Sequence, residues 1–155
     1  MKPDAAPERW IADIAVEVFR LNGRLLAAGD RVVAPLGLTS ARWQVLGAIA
    51  LAGHPGPVSH VARAMGLTRQ NVRRIVQDLV AEGMLAFAPN PNHRRAPLVR
   101  LTEAGAAAYA AAGAAWAPHA AAMADGIDPK LLETTLATLR VLRDRLQEPE
   151  EAEPG

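Results

Sequence analysis

Arg69, Gln70, Asn71, Arg73, Arg74 and Gln77 crowd into the short run RQNVRRIVQ. Arginine can donate paired hydrogen bonds to guanine, and Asn or Gln can do the same at adenine, so this set suits reading of base edges in a major groove. An ordinary solvated helix face interleaves its arginines with carboxylates, but here none appears until Asp78 and Glu82. A second basic group, His93-Arg94-Arg95, lies in the turn-rich stretch PNPNHRRAP, again without an adjacent acid. Arginines presented on such a loop suit phosphates or a narrow A·T-rich minor groove, whose negative potential is enhanced. Arg100 reads equally well as a phosphate contact or as an exposed strand residue. Ser59 reads as a helix N-cap or a phosphate contact, and Thr68 as the N-cap that starts the basic run.

Catalysis and metal binding fit the residues poorly. His54, His60, His93 and His119 are scattered, without the i, i+4 pairing of a zinc-binding helix, and no metal or cofactor is expected. Ser59-His60 are adjacent, so on a helix their side chains diverge, and no third orienting group accompanies them. The chain contains no cysteine, which excludes disulfides, thiolate metal sites and cysteine-based redox sensing. No Gly-rich phosphate loop is present. An enzyme is not expected.

The elements that must position these side chains follow from periodicity. At about 100° per residue, Val72, Ile75, Val76, Leu79 and Val80 fall on one stripe, with the polar set opposite. Gly83 occupies the place of a left-handed C-terminal residue. In the preceding helix Val61, Ala62 and Met65 face inward, and Gly66-Leu67 make the turn. Residues 84–88 and 98–101 are short apolar-rich runs able to pair around the basic loop. Helix, turn, helix and hairpin in this order form a winged helix-turn-helix.

Charge is distributed to match. Residues 1–59 carry six Lys/Arg against five Asp/Glu, residues 60–100 seven against two, and residues 101–155 four against nine. A near-neutral chain thus hides a basic centre, the footprint of a nucleic-acid contact rather than a general polyanion coat.

The stretches LTSARWQVLGAIA, VSHVARAMGLTRQNVRRIVQDLVAEGML and PNPNHRRAPLVRLTEAG resemble the MarR family of bacterial transcription regulators, over roughly residues 8–147. The resemblance implies an obligate homodimer bound to a pseudo-palindromic double-stranded operator, usually repressing by excluding polymerase. It carries the recognition-helix role onto Arg69, Gln70, Asn71, Arg73 and Arg74, and the minor-groove wing role onto Arg95 with Arg94 beside it. The chain departs from the family at His93, where an acidic residue usually helps orient the wing. The resemblance also implies that a small phenolic or lipophilic effector can lodge between dimerisation and DNA-binding regions. Trp10, Arg42, Trp43, Trp116 and His119 are the candidates to line such a pocket. A tryptophan at helical spacing reads as core just as readily.

The remaining segments complete the expected organisation. Residues 1–7 should be a disordered N-terminus and residues 8–34 a dimerisation helix, with Ile11, Ile14, Val18, Leu21 and Leu25 at 3-4-3-4 spacing and Val32 one heptad later. Residues 35–102 form the winged helix. Residues 103–147 supply linking and dimerisation helices: an Ala-rich helix with a bend at Pro118, then the stripe Leu132, Leu136, Leu139, Leu142 and Leu146. Residues 148–155 are an acidic disordered tail. With aromatics at 4%, the fold should be mainly α, a winged helix-turn-helix with a short antiparallel β-hairpin and a helical dimerisation region drawn from both termini. No apolar run reaches the ~20 residues of a bilayer span, so a cytoplasmic protein is expected. The competing reading is a winged helix that binds another protein and no operator.

Overall fold

The computed structural model of the chain describes residues 6–146, in two compact units: unit 1 through Ala117 and unit 2 from Pro118. In unit 1, α1 (Pro7–Val33) starts with Pro7 at its first turn, where a missing N–H costs nothing and φ is already helical. Pro7 therefore belongs to this helix rather than to a disordered end; residues 1–5 and the expected acidic tail at 148–155 lie outside the described residues.

α1 passes through a short 3-10 turn, Ala34–Leu36, and a left-handed Gly37 into α2 (Ser40–Ala52). The corner between the two helices is closed by Ser40, whose N–H donates to Asp30 Oδ1 at 2.7 Å and whose Oγ donates to the Leu26 carbonyl at 2.7 Å. Gly29 makes this approach possible, since a Cβ there would fall 2.4 Å from Ser40 Oγ. The last turn of α1 consequently joins the winged-helix core: Val33 is fully buried and Val32 packs against the core. Val32, one heptad beyond Leu25 on the expected stripe, is thus half-buried against this core.

The two-residue strand β1 (Gly56–Pro57) precedes α3 (Val58–Met65), which ends at left-handed Gly66 with the Leu67 N–H returning to the Ala62 carbonyl. α4 (Arg69–Ala81) opens on Thr68, whose hydroxyl accepts from the Asn71 N–H at 3.3 Å. It ends in the same kind of motif, with Gly83 at φ +76° and the Met84 N–H donating to the Leu79 carbonyl. β2 (Leu85–Ala88) and β3 (Leu98–Leu101) pair antiparallel with Phe87 opposite Val99, and β1 pairs with the outer edge of β3. The sheet order is β1-β3-β2. β1 adds a third strand to the expected hairpin; its two residues, Gly and Pro, carry no strand signature in the sequence.

Val72, Ile75, Val76 and Leu79 of α4 pack on Val45, Leu46 and Ile49 of α2, Val61 of α3, Leu85 of β2 and Val99 of β3. Burying each such side chain stabilises by about 2 kcal/mol relative to exposure, so a charge at Val72 or Leu79 would dismantle the platform. α5 (Glu103–Ala124) runs through Pro118 and starts where the Thr102 hydroxyl accepts from the Gly105 N–H at 3.1 Å.

Unit 2 contains the end of α5 and α6 (Pro129–Arg145), capped by Asp128 through the Lys130 N–H. No residue of α6 is buried. Among the described residues no helix is long and apolar enough to cross a membrane. The fold is mainly helical with a small antiparallel sheet, a winged helix-turn-helix.

Candidate nucleic-acid interface

Two faces of α4 separate cleanly. Val72, Ile75, Val76 and Leu79 are buried, whereas Arg69, Gln70, Arg73, Arg74 and Gln77 are exposed and Asn71 is half-buried. Thr68, Gln70, Asn71, Arg73, Arg74 and Gln77 border one shallow open groove. Among the described residues no carboxylate ion-pairs with Arg69, Arg73 or Arg74. Their charge is therefore uncompensated where it faces solvent. Ser59 does not cap α3: Pro57 holds the N-cap position without a side-chain bond, and Ser59 sits inside the helix, half-buried. Its reading as an N-cap fails because the chain enters α3 directly from β1.

The wing tip is two consecutive turns. The His93 N–H donates to the Asn90 carbonyl at 3.3 Å, and the Ala96 N–H donates to the His93 carbonyl at 3.2 Å. Arg94 and Arg95 are the central residues of the second turn and are exposed, as is His93. Like the α4 arginines, neither Arg94 nor Arg95 has an ion-pair partner among the described residues. Sequence reasoning missed Asn90, whose side chain bonds both Asn92 N–H and the Ala96 carbonyl. An Asn followed by Pro in a turn-rich segment was its only signal. Arg100 is exposed on β3 and borders a small hollow with His54 and Pro55.

Of the expected pocket residues, Trp43 and Trp116 come together edge to face, with ring centroids 5.9 Å apart at 61°. Arg42 is already engaged: its guanidinium pairs with the Glu82 carboxylate and donates to the Gly37 carbonyl at 3.2 Å. It is not a free cation waiting for a ligand. Trp10 lies on α1 and is 60% exposed, and His119 belongs to unit 2. Of the expected interface residues, Ile11, Val18 and Leu21 on α1 and Leu132, Leu136 and Leu146 beside or on α6 are exposed; Ile14, Leu139 and Leu142 are half-buried.

A model described as the MarR family matches residues 36–96, the span from the end of the 3-10 turn before α2 through the wing tip. The chain belongs to the MarR family. An uncharacterised protein of Mycobacterium tuberculosis is 38% identical over 130 residues, 84% of this chain and 90% of that relative. The fold likeness extends past the region covered by the family model. A MarR-family transcriptional regulator from Rhodococcus sp. RHA1 superposes with a TM-score of 0.77 at 22% identity, covering 90% of this chain and 98% of the other. CouR from Rhodococcus jostii RHA1, whose structure contains p-coumaroyl-CoA, superposes with a TM-score of 0.76 at 23% identity, covering 88% and 96%. At these identities the likeness is one of fold, and the MarR winged helix accounts for the order of α2 through β3.

Proposed function

We propose that this MarR-family chain is a homodimeric, sequence-specific regulator of transcription that binds a pseudo-palindromic operator and represses by excluding polymerase. The observation that carries the reading is the outward face of α4: arginine, glutamine and asparagine on a helix whose other face is locked into the core. In this reading Arg69, Gln70, Asn71, Arg73, Arg74 and Gln77 meet base edges and phosphates of the major groove. Thr68 and the half-buried Ser59 contact the backbone, and Arg95, with Arg94 and His93, enters the adjacent minor groove. Such a protein would act beside the chromosome, in the cytoplasm.

Dimerisation is supported by side chains that one subunit leaves uncovered. Ile11, Val18, Leu21 and Leu25 of α1 are 38–48% exposed, and Leu132 and Leu136 of α6 are 43% and 49% exposed. A second copy would cover them, and residues 8–34 and 103–147 would then act as the dimerisation segments around a DNA-binding region at 35–102. A two-fold axis suits a palindrome, since two recognition helices can then reach successive major grooves.

Release by a small aromatic effector fits the Trp43–Trp116 pair, with Trp10, Arg42 and His119 as further candidates. CouR, of the same fold, holds a ligand with an aromatic acyl group. The rival reading, a winged helix for protein partners only, leaves the unpaired arginines without a purpose.

Selection of bound fragments from the source genome, repeated with the Arg73→Ala, Arg74→Ala and Arg95→Ala triple variant, tests the proposal. Loss of enrichment by the variant, with dimerisation intact, is expected. Unchanged duplex binding would sink the DNA reading.

A further inference from the structure

We infer that Asn90 is the positioning residue of the wing, setting the presentation of Arg94 and Arg95 to DNA through a neutral side-chain amide. The inference rests on the DNA-binding reading and adds to it a residue that itself touches no nucleic acid. Asn90 Oδ1 accepts from the Asn92 N–H at 3.0 Å, and Asn90 Nδ2 donates to the Ala96 carbonyl at 2.8 Å, six residues further along. Its own backbone carbonyl accepts from the His93 N–H. One residue therefore ties the entry of the first turn to the exit of the second, and Arg94 and Arg95 are the two residues held between.

The chemistry requires an amide. Asn offers one acceptor and one donor group, and both are used here against backbone partners of the complementary kind. Aspartate would keep the acceptor for Asn92 but set a carboxylate oxygen against the Ala96 carbonyl, and alanine would lose both bonds. Pro91 fits the first turn at the position where a fixed φ is favoured, and Pro97 restrains the chain just before β3. Asn90 is half-buried while the arginines are exposed, so the staple is partly sheltered and the cations are not. His93 enters the turns through its backbone N–H and carbonyl, so no carboxylate at that position is needed to shape the tip. An arginine held in place before contact loses less conformational entropy on insertion into a groove.

The test measures affinity for a genome-selected operator with Asn90→Ala and Asn90→Asp, each alone and combined with Arg95→Ala or Arg73→Ala. Expected are losses of about tenfold for both Asn90 variants. Most of that loss should vanish in the Arg95→Ala background and multiply fully with Arg73→Ala, because only the wing contact passes through Asn90. Hydrogen exchange at the Asn92 amide of the free protein should accelerate by about tenfold in Asn90→Ala. The proposal is overturned if Asn90→Ala leaves affinity unchanged while Arg95→Ala weakens it, if the Asn90 and Arg95 losses multiply fully, if Asn90→Asp binds like wild type, or if Asn92 exchange does not change. If exchange accelerates but neither arginine substitution affects binding, the DNA-binding reading itself has failed and this role falls with it.

Discussion

Arg42, near the start of α2, pairs through its guanidinium with the carboxylate of Glu82, the residue that caps the C-terminal end of α4. A carboxylate there sits at the negative end of the helix dipole and is unfavourable alone by several tenths of a kcal/mol. Arg42 neutralises it, and its second nitrogen is tied to the Gly37 carbonyl, so the end of α4 is anchored to the turn before α2. The gain is limited in two ways. Glu82 is 45% exposed, and Arg42 Nε is buried without a hydrogen-bond partner among the described residues. Arg42→Ala should therefore destabilise by only about 1 kcal/mol. Glu82→Gln should cost less, and the double variant should cost less than the two singles together. Denaturant titration of the three variants checks the coupling; strict additivity would show that the pair contributes nothing.

At Gly105 the first turn of α5 lies close against the turn that follows α4. A Cβ at this position would fall 1.9 Å from the Met84 carbonyl oxygen, a backbone atom that already accepts from the Thr102 N–H. Since backbone must move to admit it, Gly105→Ala should lower unfolding free energy by about 2 kcal/mol. Gly113, in the same helix with nothing near its missing Cβ, should behave oppositely. Alanine there removes the helix penalty of glycine and gains up to about 1 kcal/mol. Thermal unfolding of both variants compares the signs directly. A loss at Gly113 would mean that another surface packs against it.

Periodicity exposed the parts of the fold whose code is local. The stripe Val72, Ile75, Val76 and Leu79 predicts both the buried face of α4 and, by exclusion, its arginine face; Thr68 and Gly83 mark its ends. Contacts made across the chain left no comparable trace. Arg42 and Glu82 are 40 residues apart, and nothing in either neighbourhood announces the other. Gly105 looks like any glycine in an Ala-rich helix until Met84 is brought beside it. Ser59 shows the converse error: a serine near a helix start suggests a cap, but the β1 strand fixes the entry two residues earlier and leaves Pro57 in that place. Asn90 lay between, visible as a turn former but not as the residue bonding both halves of the wing.

The exposed stripe on α1 predicts a charge-sensitive assembly. Val18 and Leu21 are 41% and 48% exposed in the subunit, so a glutamate at either should disturb the folded subunit little. If a second copy covers them, the same change buries a charge in the interface and should weaken dimerisation by at least ~100-fold, about 2.7 kcal/mol. Leu136→Glu on α6 should act in the same direction. Sedimentation should show a shift toward the mass of one chain, with circular dichroism preserved. Dimers unaffected by all three substitutions would place the interface on other residues.

The Trp43–Trp116 pair gives an optical test of effector binding, and the Arg42–Glu82 pair makes that test specific. Trp10 is mostly exposed, so replacing it with Phe leaves emission dominated by the two rings in contact. An aromatic carboxylate seated beside them should change that emission saturably. At one hundred times its dissociation constant it should raise unfolding free energy by about 2.7 kcal/mol. Its anion, if it pairs with Arg42, must compete with Glu82 for the same guanidinium. Glu82→Gln removes the competitor, and should therefore tighten carboxylate binding several-fold while leaving an uncharged aromatic analogue unaffected. Equal effects on both ligands would show that Arg42 does not receive the anion, and flat emission across a broad set of aromatic acids would remove the pair from consideration as an effector site.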